Sequence, residues 1–171
     1  MLIIATFLLF LSPLDQAHQA VRQLPECRPI LDQIEREGGY QVIENRSAPF
    51  TAQWNPNRRT IEVNSQSHEN VGRIIVSILF EMHNALGNSR LTHLQDLARS
   101  RRLPKKLFVR KMEQKEWKNW ESTCALLAIG REKGIFPQTA TAKSFRSFAN
   151  YLDIQERSGH TEYHAYHYNL L

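Results

Sequence analysis

The chain has 171 residues and a formal net charge of +5, enough length for one domain with its own core. It carries no internal repeat, no long linker and no Gly-rich phosphate loop, which argues against a solenoid and a P-loop nucleotide site. Much of the basic excess is local: residues 99–111 hold Arg99, Arg101, Arg102, Lys105, Lys106, Arg110 and Lys111 without one acid.

The first ten residues, MLIIATFLLF, are too short an apolar run to span a bilayer as a helix. With Ser12, Pro13, Ala17 and Ala20 following, residues 1–20 read as a signal peptide cleaved near Ala17 or Ala20, although no Lys or Arg precedes the run. That reading places the protein outside the cytoplasm, periplasmic or extracellular, with no transmembrane helix in the mature chain. An even pair of cysteines in an exported chain fits one disulfide, Cys27 to Cys124. The closed loop of about 97 residues is worth on the order of 4 kcal/mol in the chain-entropy description. In a reducing compartment both would instead be small apolar core residues.

After the leader, PECRPILDQIEREGG predicts a helix with Ile30, Leu31 and Ile34 on one face, stopped at Gly38-Gly39. YQVIEN alternates as a short strand. PFTAQW and RTIEVN predict a β-hairpin around Asn55-Pro56-Asn57-Arg58. Ser65 or Ser67 is placed to cap the next helix, with Glu69 in its first turn. That helix, RIIVSILFEMHNALG over Arg73–Gly87, is apolar all round through Ile74, Ile75, Val76, Ile78, Leu79, Phe80 and Met82, and so is expected to be buried on most sides. Its polar end, Glu81, His83 and Asn84, must find partners there.

The rest is helical. Leu91–Arg102 is amphipathic and ends before Pro104; Lys105–Lys133 is long and stops at Gly134 and Pro137. Ala142–Glu156 carries Phe145, Phe148, Ala149 and Leu152 on one face, and 158–171 reads as a polar, aromatic, His-rich tail. The expected fold class is α+β: a small antiparallel hairpin or sheet plus a helical bundle with one central buried helix, forming a single domain over 21–157.

Two anomalies carry chemistry. On the long helix Glu113 and Glu116 share a face with Val109, Met112, Trp120, Cys124 and Leu127, and inward carboxylates are costly without a counterpart. The counterpart is a metal, a cation such as Lys111 or Lys115, or the polar end of the buried helix. If the two helices pack, Glu113 and Glu116 meet Glu81, His83 and Asn84. A second potential ligand set is His160, His164 and His167, whose spacings put them on one side of any helix they form. His68 and His93 read as surface or packing residues. The basic run 99–111 suits an anionic surface, or is a solvated corner between helices.

A hairpin, a buried helix ending in a glutamate and a later helix offering carboxylates resemble the zincin metallopeptidases, whose HExxH motif binds zinc through two histidines while its glutamate activates water. Here the five positions are Phe80-Glu81-Met82-His83-Asn84: the glutamate is kept and both ligand histidines are replaced. Over residues 39–128 the chain is also similar to small bacterial secreted or effector-like proteins with a metallopeptidase domain, through LFEMHNA (79–85) and MEQKEW (112–117). The resemblance implies a zincin-like fold with either no cofactor or zinc. His83 is rotated by about 100° from the second ligand position and does not substitute for it. The leading expectation is an exported, catalytically degenerate binding or effector module with an unknown protein or peptide partner. The first alternative is a metal-dependent peptidase with Glu81 as general base and a noncanonical site formed by His83, Glu113 or Glu116, with the His-rich tail as a supplement. The second is a helical interaction protein that binds anions through 99–111.

Overall fold

The computed structural model describes residues 11–171, so the apolar run expected as the core of a signal peptide lies outside the described residues. The chain is α+β and mostly helical, about 65%, with a three-stranded mixed sheet. It forms two compact units, one of residues up to Leu86 together with Thr123–Ala142, the other of Gly87–Ser122 with Lys143–Leu171.

In the first unit, α1 (Pro13–Gln23) and α2 (Arg28–Arg36) are joined by a 3₁₀ turn over Pro25–Cys27. Ser12 caps α1 through Asp15 N–H, with Pro13 at its first position. Leu14, Ala17 and Val21 make its buried face, so cleavage near Ala17 or Ala20 would remove core side chains. Gly38 and Gly39, both at positive φ, end α2 as expected, and Arg59 ties the turn to the helix end, donating from Nη2 to Ile34 O at 3.2 Å and from Nε to Gly39 O at 2.7 Å.

The strands are β1 (Gln41–Glu44), β2 (Ala52–Asn55) and β3 (Thr60–Val63), in the order β1-β3-β2. The expected hairpin is β2–β3, antiparallel, with Trp54 opposite Ile61. The sheet is mixed rather than antiparallel, because β1 joins the far side of β3 in parallel register, Val42 beside Ile61. Burial explains the order: all four β3 residues are buried, as a central strand requires, whereas β1 and β2 keep exposed positions. Buried Glu62 is satisfied by Asn45 Nδ2 at 2.8 Å, Asn55 Nδ2 at 3.3 Å and Arg58 Nη1 at 3.6 Å.

Helix α3 (Val71–Leu86) is the buried helix, packed against α1, α2, β2 and β3. Its cap is Asn70, whose Oδ1 accepts from Arg73 N–H at 3.2 Å; Ser65–Ser67 form a separate 3₁₀ turn instead of capping it. Ile75, Ile78, Leu79 and Met82 are fully enclosed, each worth about 1.5–3 kcal/mol of transfer free energy. His68 packs as expected, bonding Asn64 O and Ser77 Oγ at 2.8 Å each.

No disulfide joins Cys27 and Cys124, contrary to expectation. Cys27 is wholly buried between α1 and α2 and packs as a small apolar side chain; desolvation, with the Glu26 charge adding, pushes its thiol up to about 12. Cys124 is half-buried on the long helix.

A titratable pair braces the same unit. His18 Nε2 lies 2.9 Å from the Tyr40 hydroxyl, with the rings edge-on. Burial, then the Arg22 charge, lowers the His18 pKa against the opposing effect of Asp15, and burial raises the Tyr40 hydroxyl to about 12. A neutral imidazole thus accepts from a protonated phenol. Because the folded pKa is the depressed one, the unfolded chain binds the extra proton. The contribution is present above the unfolded value of about 6.5 and is lost as pH falls through the folded one. The urea midpoint is expected to drop between pH 7.5 and 5.5, and His18→Gln to flatten that drop; an unchanged profile in the variant would assign the dependence elsewhere.

The second unit contains α4 (Asn88–Arg99), the first turns of α5 (Lys105–Glu132), α6 (Phe148–Ser158) and α7 (His160–Leu170). Helix α4 ends at Arg99 rather than Arg102 because Arg101 turns into the left-handed region at φ 57°, letting Arg102 and Leu103 N–H reach back to Leu97 O. Helix α6 starts at Phe148, after Ser147 caps Asn150 N–H, so Phe145 precedes the helix. The segment expected as a tail is helical: Gly159, at φ 80°, turns the chain from α6 into α7. Its Tyr168 enters a core of Leu94, Ala98, Leu103, Phe108 and Met112 and donates to Leu103 O at 3.0 Å.

Candidate metal centre

Glu113 and Glu116 lie one helical turn apart on α5, and His160 and His164 one turn apart on α7, so each helix presents two donors on one side. Gly159 places His160 at the first position of α7, and the Tyr168 anchor fixes the rest of that helix two turns on. One donor atom from each of the four side chains lies within 4.8 Å of all the others. Among the described residues this is the one group of three or more His, Cys, Asp or Glu side chains with such an arrangement.

The contacts are specific. His160 Nδ1 is 3.1 Å from Glu113 Oε1 and donates to it; His160 Nε2 is 3.4 Å from Glu116 Oε2. His164 Nε2 is 3.2 Å from Glu116 Oε1 but misaligned for a hydrogen bond. Glu113 is 0% and His164 2% exposed, yet Glu113 Oε2 and both His164 ring nitrogens have no hydrogen-bond partner. Buried polar atoms of this kind are normally paired, and three of them meet in this one cluster. The hydrogen bond to Glu113, opposed by desolvation and aided by the Glu116 and Glu113 charges, raises the His160 pKa. Desolvation first, then the Glu116 and Glu113 charges and a hydrogen bond to the Glu113 carboxylate, raises the hydroxyl of buried Tyr151. His167 stands apart, with its ring edge-on to Phe108 at 6.5 Å.

The zincin positions do not fit a metal. Phe80 offers no donor at all. Glu81 Oε2 accepts from Trp54 N–H at 2.8 Å and from Asn84 Nδ2 at 2.9 Å. Trp54 lies on edge strand β2, so this carboxylate satisfies a strand N–H beside the core helix. Buried His83 is not a member of the four-residue group. Glu81→Gln is expected to cost about 1–2 kcal/mol, because the amide oxygen can still accept from both donors but without the negative charge that strengthens the two hydrogen bonds. Calorimetry would register this as a melting point lower by on the order of 5 °C; a shift under one degree would show that the charge is dispensable.

Of the basic residues, Arg99 pairs with Asp96 at 2.6 Å, Arg101 lies over the Tyr168 ring at 5.6 Å, and Lys105 Nζ donates to Asn169 Oδ1 at 3.2 Å. Arg102, Lys106, Arg110 and Lys111 are exposed.

Comparison of the chain with protein-family models, curated proteins and solved structures finds no match.

Proposed function

We propose that the protein binds one divalent transition-metal ion, zinc first among them, through Glu113, Glu116, His160 and His164, and that the ion fastens α7 to α5. The observation that carries this reading is the buried His164 imidazole, with neither ring nitrogen hydrogen-bonded, beside the orphaned Glu113 Oε2. Two imidazoles and two carboxylates, without thiolates, suit zinc and its neighbours better than calcium or copper(I). Around a tetrahedral ion with bonds of about 2.0 Å the donors stand about 3.3 Å apart. Rotamer adjustments of roughly an ångström bring a set within 4.8 Å to that spacing.

Four protein donors close a tetrahedral shell, the pattern of structural sites; catalytic zinc keeps a position open. Together with the commitment of Glu81 to Trp54 and Asn84, this favours a metal-fastened binding module over a hydrolase. Calorimetric titration of chelator-treated protein with zinc chloride at pH 7.5 is expected to give one ion per chain. His164→Ala and Glu113→Gln should each weaken binding by more than about 100-fold, beyond the usual cost of losing a residue behind the ligands. Glu81→Gln should leave zinc binding unchanged. Stoichiometric binding that survives His164→Ala, or no binding at all, overturns the assignment.

A further inference from the structure

We infer that the second unit docks on an anionic lipid bilayer through the exposed side of α7 and the basic corner between α4 and α5, independently of any metal. The large hydrophobic residues that stand exposed among the described residues are Leu107 (43%), Tyr163 (56%), Tyr166 (61%) and Leu170 (65%), and all four belong to this unit. Tyr163, Tyr166 and Leu170 fall within an arc of about 60° on α7 at 100° per residue. That stripe lies away from His164 and Tyr168, which face the interior. On α5, Leu107 shares its exposed side with Arg110, Lys111 and Lys118.

Two contacts bring these features to one corner. Lys105 Nζ donates to Asn169 Oδ1, and the Arg101 guanidinium lies over the Tyr168 ring. The carboxy-terminal end of α7, with Leu170, therefore sits beside the cations of 99–111. Among the described residues only Arg99 of those seven is in an ion pair, with Asp96. Of the other six, Arg101 and Lys105 make the two contacts above, and exposed Arg102, Lys106, Arg110 and Lys111 keep their charge for an outside partner.

Charge complementarity calls for an anion, and the apolar residues choose which. A nucleic-acid backbone would take up the cations but leave leucines in water, and the one aromatic residue within the basic run, Phe108, is fully buried and cannot stack on bases. Lipid headgroups satisfy both demands. Tyrosine and leucine side chains enter the boundary between headgroups and acyl chains while Lys and Arg stay with the phosphates.

The full chain should co-sediment with vesicles of 70% phosphatidylcholine and 30% phosphatidylglycerol at 100 mM NaCl. Binding should be at least tenfold weaker to pure phosphatidylcholine and at least tenfold weaker at 500 mM NaCl. Leu107→Ser with Leu170→Ser, both at exposed positions, should weaken binding at least fivefold with the melting point unchanged. Arg102→Gln with Lys106→Gln should reduce its salt dependence. Equal binding to neutral vesicles, no binding to anionic ones, or anionic binding insensitive to the leucine substitutions overturns the proposal. So does binding to duplex DNA that exceeds binding to the anionic vesicles.

Discussion

Saturating zinc is expected to stabilise the chelator-treated protein by about 4 kcal/mol when the free ion stands at 1,000 times its dissociation constant. The effect should be large because the ion-free cluster is an unfavourable place to leave polar groups. Glu113 is wholly buried with one oxygen not hydrogen-bonded, and His164 is 2% exposed with neither nitrogen hydrogen-bonded, Nε2 lying 3.2 Å from Glu116 Oε1 but misaligned. Each such group forfeits about 1–3 kcal/mol of solvation without return. An ion supplies the missing partner to Glu113 and to one nitrogen of His164 at once, and it does so only in the folded chain, where α5 and α7 bring these donors together. Thermal unfolding with and without zinc measures the increment. In His164→Ala the zinc-dependent part should vanish, leaving only the shift in the ion-free protein. An increment that persists in this variant would place the stabilising ion at other residues.

How far this centre could be read from sequence depends on which residues one follows. Glu113 and Glu116 were visible as an anomaly, since two acids on an inward helical face need a counterpart. The spacing of His160 and His164 was visible too, as one side of a possible helix. What joined them was not: the pairing depends on Gly159 turning the chain at φ 80° and on Tyr168 reaching the Leu103 carbonyl. Composition pointed the wrong way, because a histidine- and tyrosine-rich carboxy terminus looks like a solvated tail. The burial of helix α3 was legible, since apolar residues on every side leave a helix no other place, although its cap was not. Its glutamate was harder. A Glu in FEMHN suggests a relic of catalysis, whereas the partner that accounts for it is a backbone N–H on β2, which no side-chain pattern encodes. Strand order was equally hidden. Alternation found three strands, but only the continuous burial of Thr60–Val63 makes β3 the central one, with β1 beside it in parallel.

Gly72→Ala is expected to destabilise the first unit by about 2 kcal/mol or more, although alanine is the better helix former by about 1 kcal/mol. The reason is a close approach that sequence does not reveal. A methyl group on Gly72 would stand 2.5 Å from Ala140 N, from the Thr139 carbonyl carbon and from Thr139 Oγ1. Two of those atoms are backbone, and their segment is fixed at several points. Ala140 N–H donates to Pro137 O at 2.9 Å, Arg131 Nη1 to Ala140 O at 2.7 Å, and Arg73 Nη1 to Thr141 O at 3.0 Å. The methyl can be accommodated only by lifting residues 139–141 from the start of α3, which breaks the arginine hydrogen bonds and uncovers Ala140, itself fully buried. Gly134 provides the contrast. It sits at φ 68° with nothing within 4 Å of an added methyl, so alanine there meets backbone strain of about 1–2 kcal/mol and no clash. Urea unfolding of both variants, together with Arg73→Gln, separates the two causes. If crowding at α3 is the cause, Gly72→Ala and Arg73→Gln should be less than additive, because the displaced segment has already lost the Arg73 contact. Full additivity would mean that residues 139–141 stay seated and the cost of Gly72→Ala arises within the helix itself.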